Sequence, residues 1–152
     1  MDRAMSTSHP SSRMTGIGRV LVIVYAVMAL AATGRSFVQI VRQFDEAPLA
    51  YALSALAAVV YVLATLALVF ARRAGWYTVA WVAIVFELTG VLVVGALSLF
   101  LPDLFPHDTV WSMFGRGYLF IPLVLPVFGI WWLRTHRPVV ADAETRGAEV
   151  RA

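Results

Sequence analysis

The chain has 152 residues, 61% of them hydrophobic and 14% charged, and its mean hydropathy is +0.80. One small soluble core cannot use that much apolar side chain, so a soluble globular domain is excluded and a membrane protein is expected. The formal net charge is +3 and there is no cysteine, so disulfides, thiolate ligands and a cysteine nucleophile are excluded, and the positive excess speaks to membrane orientation rather than to nucleic acid.

In chain order, residues 1–15 are rich in Ser, lack an apolar period and are expected to form a disordered tail. Residues 16–138 then form one membrane domain with four apolar spans: Ile17 to Val41, Pro48 to Phe70, Trp76 to Leu101 and Val110 to Leu133. Each exceeds the roughly 20 residues that a helix needs to cross about 30 Å of hydrocarbon at about 1.5 Å per residue. No strand-like alternation argues for a barrel, and in lipid a helix satisfies its own backbone. The punctuation agrees with this division. Asp45, Glu46 and Pro48 open the second helix, Arg72, Arg73 and Gly75 close it, and Pro102 ends the third. Pro122 and Pro126 are expected to bend the fourth. Residues 139–152 are polar and charged and read as a second tail. A rival expectation for the first span is a secretory signal peptide, with Arg19, the apolar run Val20 to Ala32 and Ala29-Leu30-Ala31 as its small-residue site. The polar face of the helix continues past that site, which favours a retained span.

All twelve basic residues are Arg, which hints at a GC-rich genome. Arg3, Arg13 and Arg19 precede the first span, Arg72 and Arg73 separate the second from the third, and Arg134, Arg137, Arg146 and Arg151 follow the fourth. By the positive-inside rule these regions are cytoplasmic, while the loops with Asp45, Glu46, Asp103 and Asp108 face outward. Trp76 with Tyr77, and Trp131 with Trp132, would mark the same inner interface. The expected fold is therefore an all-α integral membrane four-helix bundle, up-down-up-down, with both termini cytoplasmic, in a bacterial cytoplasmic membrane.

Polar residues in the spans fall on single helical faces. Tyr25, Met28, Ala32, Arg35, Gln39 and Arg42 share one face of the first span, flanked by Ser36; Tyr51, Ser54, Ala58, Tyr61 and Thr65 share one of the second. In the third span, Ala80, Ala83, Glu87, Gly90 and Val94 form a stripe of small residues with a carboxylate at its middle. Small residues let helices approach closely in lipid, so Glu87 is expected to face protein. Depth counting favours an ion pair of Glu87 with Arg35, with Tyr61, Gln39, Thr65 and Thr89 in the surrounding polar network; Arg116 is a more distant alternative. If Arg35 points elsewhere, Glu87 is expected to be protonated. Arg35 and Arg116, edged by Asp103 and Asp108, form a candidate outward site for an anion or lipid headgroup, against the plainer reading in which Arg35, Gln39 and Arg42 snorkel to the outer headgroups.

Catalytic signals are few. His9 and His136 lie in or beside the tails, and His107 with Asp103 and Asp108 reads as an ordinary turn before it reads as a metal site. There is no phosphate loop, nucleophile elbow or His-rich motif, so no catalytic, metal or cofactor-binding residue is assigned. Gly34-Arg35-Ser36-Phe37-Val38-Gln39, Ala47-Pro48-Leu49-Ala50-Tyr51, Phe86-Glu87 and Phe114-Gly115-Arg116-Gly117-Tyr118 resemble the small four-helix integral membrane proteins of actinobacteria. That resemblance covers about Gly16 to Pro138 and implies the same bundle, without an activity. The expected function is an accessory or scaffold role through helix packing with itself or another membrane protein, among membrane lipids. The alternative is a proton-coupled transporter or channel subunit that uses Glu87.

Overall fold

The structure, a computed structural model, describes residues 16–138 and Val150. The expected tails fall outside the described residues apart from Val150, as do Arg3, Arg13, Arg146, Arg151 and His9. Across residues 16–138 four α-helices follow one another: α1 (Gly16–Gln43), α2 (Pro48–Val69), α3 (Ala74–Phe100) and α4 (Ile121–Thr135). A 3₁₀ turn, Phe44–Glu46, joins α1 to α2, and two more, Pro102–Leu104 and Ser112–Tyr118, lie between α3 and α4. Among the described residues there is no strand.

The first three helices follow from the sequence pattern. Pro48 lies in the first turn of α2, where its missing N–H removes a donor that would have no partner anyway. No Pro interrupts α1 or α3, and α3 stops one residue before Leu101, whose N–H closes on the Leu97 carbonyl at 2.8 Å ahead of Pro102. Three helices are long and apolar enough to cross a membrane, and a fourth crossing exists if the bent pair Ser112–Tyr118 and Ile121–Thr135 counts as one span.

Packing is dominated by small side chains. Ala32 of α1, Ala50, Ala57, Ala64 and Ala67 of α2, and Ala80 of α3 are fully buried, so the backbones approach closely and van der Waals contact replaces the hydrophobic drive that lipid does not supply. The faces turned away carry large apolar side chains, among them Leu30, Phe37, Val59, Val82 and Phe86. A surface of this kind suits hydrocarbon. The expected aromatic pairs come together at one end of the bundle, where the Tyr77 hydroxyl donates to the Leu133 carbonyl at 2.7 Å and Trp132 stacks on His136 with ring centres 4.8 Å apart.

The fourth span departs from expectation. In place of one helix from Val110 to Leu133, the chain bends by 98° between Ser112–Tyr118 and α4. Met113, Phe114, Gly115, Leu119 and Phe120 all take left-handed backbone conformations, which cost a non-glycine residue roughly 1–2 kcal/mol each. Pro122 supplies part of the reason: it is at home in the first turn of a helix and opens α4. Hydropathy reports the polarity of such a stretch and is blind to its backbone. What remains helical is 15 residues, or about 22 Å at 1.5 Å per residue, short of a full crossing by about 8 Å. A fourth crossing would need the segment before α4 to make up the difference in irregular backbone.

Gly115 anchors the bend. Its φ is +80°, and a Cβ added there would lie 2.7 Å from Pro122. Gly115→Ala is therefore expected to lower stability by about 1–3 kcal/mol, through the left-handed backbone and the clash together. Gly117→Ala is the control, because its added Cβ would meet nothing within 4 Å. Melting temperatures in detergent check the pair.

Candidate functional site

The stripe of small residues on α3 does turn inward. Ala80, Ala83, Glu87 and Val94 are buried, Gly90 is half-buried, and Glu87 is 0% exposed. The expected Arg35 partner is not there. Instead the Tyr25 hydroxyl of α1 donates to Glu87 Oε2 at 2.8 Å, and Tyr61 of α2 stands beside the same carboxyl group. The Tyr25 and Tyr61 rings lie 6.3 Å apart. Glu87 Oε1 has no hydrogen-bond partner, and the one ion pair among the described residues is His107 with Glu46, at 3.5 Å.

The physical reason for the correction is axial distance. Tyr25 and Arg35 share a face of α1 but are separated by about 15 Å along it at 1.5 Å per residue. When Tyr25 meets Glu87, Arg35 is carried far beyond the reach of the carboxylate. Arg35 Nη2 donates to the Asp108 carbonyl at 2.7 Å, and its guanidinium lies over the Tyr118 ring at 5.9 Å. Nothing else of the proposed outward site closes up. The side chains of Asp103, Asp108 and Arg116 are exposed, so Arg35 meets the segment that bears Arg116 through a ring and a carbonyl. Thr65 and Thr89 also leave the network, since each hydroxyl donates to a carbonyl of its own helix, Tyr61 and Val85 respectively. Gln39 is half-buried with its Oε1 unpartnered.

Sequence reasoning missed Trp111. Placed in the fourth span by hydropathy, it is instead 1% exposed and its indole Nε1 donates to the Tyr61 hydroxyl at 3.3 Å. Its ring lies against Gly90, where an added Cβ would be 2.7 Å away. Phe114 fits Gly95 in the same way, at 2.6 Å. Gly90 and Gly95 of α3 are thus sockets for rings carried by the segment before α4. Glycines at 90 and 95 on the inward side of α3 were the available signal, although nothing in the sequence says which ring fills them.

The segment that delivers Trp111 has hydrogen bonds of its own as well as contacts with the helices. Thr109 Oγ1 accepts from the N–H groups of Trp111 and Ser112, while Ser112 Oγ accepts from the Thr109 N–H. Its polar ties to the rest of the bundle are Arg35 to Asp108, the Met113 N–H to Ser98 Oγ at 2.8 Å, Trp111 to Tyr61, and the exposed His107 to Glu46 of the 3₁₀ turn, with His107 stacked on Tyr51 at 5.9 Å; its apolar ties are the Trp111 and Phe114 rings seated on α3. Two grooves mark the apolar surface. One of about 430 Å³ lies between α1 and α2 beside Ser36 and Ala58, and one of about 580 Å³ lies between α1 and α4 beside Leu21 and Leu125. Neither is lined by Glu87. No group of three or more potential metal ligands occurs among the described residues.

Comparison with protein-family models, with curated proteins and with solved structures finds no match. The resemblance to small actinobacterial membrane proteins therefore rests on the quoted sequence stretches alone.

Proposed function

We propose that the chain is an integral protein of a bacterial cytoplasmic membrane, with four crossings that run up-down-up-down and both termini in the cytoplasm. Its role is that of an accessory or scaffold component that acts by packing its helices against a second copy or another membrane protein. One observation carries this reading. Among the described residues the one carboxylate within α1 to α4, Glu87, is shut in by Tyr25, Tyr61 and the α3 backbone, with no exposed surface. A polar group closed off in that way fixes which helix faces meet and leaves the outer faces free for association.

Native mass spectrometry from a mild detergent tests the role. A stoichiometric complex, either a dimer or one defined membrane partner, is the expected result, and a monomer that keeps lipid but no protein would overturn it. The topology has its own check. A reporter active only in the cytoplasm is expected to work at both termini and after Arg73, and activity after Asp103 would refute the orientation.

A second reading is favoured by a different observation, the unpartnered Glu87 Oε1. An ionised carboxylate there has no cation to answer it among the described residues, so the site suits a small cation, including the proton, that arrives from outside the chain. Under this reading the protein is a transporter or channel subunit, and Glu87 is the group through which its cargo couples.

A further inference from the structure

The second reading raises the matter of access, since Glu87 is buried on every side. Around it stand Tyr25 from α1, Tyr61 from α2, Gly90 from its own helix, and the turn of α4 at Gly129, where an added Cβ would be 3.4 Å from the Tyr25 hydroxyl. None of these is charged. All four of these walls belong to continuous helices, which cannot open without parting the bundle. Trp111, which sits on Gly90 one turn along α3 from Glu87 and bonds to Tyr61, belongs to no continuous helix.

The geometry points to residues 102–118 as a plug, with Trp111 as its stopper, closing a route by which a proton or a small monovalent cation reaches Glu87 from the end of the bundle where α1 turns into α2. This inference rests on the second reading above. Three independent features support it. The plug's internal hydrogen bonds, Thr109 with Ser112 and Trp111, do not depend on the helices, so withdrawal would empty the Gly90 and Gly95 sockets of the Trp111 and Phe114 rings and leave the segment's own turn intact. Left-handed residues lie on either side of Arg116-Gly117-Tyr118, at 113–115 and 119–120, so the segment carries backbone strain that a change of conformation would relieve. Between Trp111 and that end of the bundle several hydroxyls are buried among apolar side chains: Ser54 on the face that carries Tyr61, Ser98 on α3, and Thr109 and Ser112 on the plug itself. Ser54 Oγ is fully buried without a partner, which is costly in a permanently dry core and natural in one that water or a cation visits.

The absence of native cysteine makes the test direct. Glu87→Cys in the full chain, reconstituted in liposomes, is treated with a membrane-impermeant cationic thiol reagent from either side. With Trp111 in place, modification should be slow from both sides. With Trp111→Ala it should accelerate at least tenfold from the side that bears Asp103 and His107, and from that side alone. Tyr61→Phe, which removes the indole's acceptor without leaving a large cavity, should give a smaller acceleration and keeps the test informative if Trp111→Ala does not fold. Unchanged rates in the variants that fold, or acceleration from the opposite side, would overturn the plug. A separate arm examines the ligand with the unmodified chain. Its melting temperature should respond to pH if the cargo is a proton, or to sodium against choline if it is an alkali cation, and Glu87→Gln should abolish that response. A melting temperature indifferent to both, or a response that Glu87→Gln leaves intact, would remove the second reading itself, whatever the labelling shows.

Discussion

Trp111→Ala is expected to cost about 3–5 kcal/mol of stability, the range for emptying a large aromatic side chain from a packed site. Trp111 is the largest fully buried side chain, and it joins the segment before α4 to α3 through Gly90 and to α2 through Tyr61. Lipid does not soften the loss, because the contacts given up are ring against backbone and neither is replaced by a tail that cannot enter. Thermal melting in detergent should show a large fall, together with loss of the fluorescence of one buried indole. By contrast, Trp131→Ala, at a half-exposed position on α4, should change stability little.

Gly90→Leu should be comparably damaging for the opposite reason. A Cβ at that position would already lie within 3.0 Å of three atoms of the Trp111 ring, and a buried ring between two helices cannot move aside without an overpacking cost of about 1–3 kcal/mol or more. The two substitutions should compensate. Gly90→Leu combined with Trp111→Ala is expected to be more stable than the sum of the single losses implies, because each removes the other's problem. Additive losses would mean that the ring does not occupy the Gly90 socket.

The parts that were legible in the sequence are those governed by period and polarity. The three long helices, the inward stripe around Glu87, the polar faces of α1 and α2, and the convergence of Trp76-Tyr77 with Trp131-Trp132 follow from spacing and hydropathy alone. Tyr25 lies on the correct face, but the sequence favours Arg35, because opposite charge is a louder signal than a hydroxyl and depth counting does not contain the point where α1 begins. The break before α4 was the least legible feature. Gly115, Gly117 and Pro122 hinted at a bend, yet only backbone conformation reveals that Met113 and Phe114 turn left-handed and that Trp111 doubles back into the bundle. Hydropathy averages over such a stretch and returns a helix.

The central claim is that Glu87 is held by Tyr25 and not by Arg35, and a pair of double-mutant cycles on melting free energy in detergent tests it most directly. Glu87→Leu with Tyr25→Phe should show a coupling of about 0.5–2 kcal/mol, as for a buried hydrogen bond between membrane helices. Glu87→Leu with Arg35→Gln should be additive within error, since Arg35 spends its hydrogen bond on the Asp108 carbonyl about 15 Å further along α1. Strong coupling to Arg35 with none to Tyr25 would contradict the account.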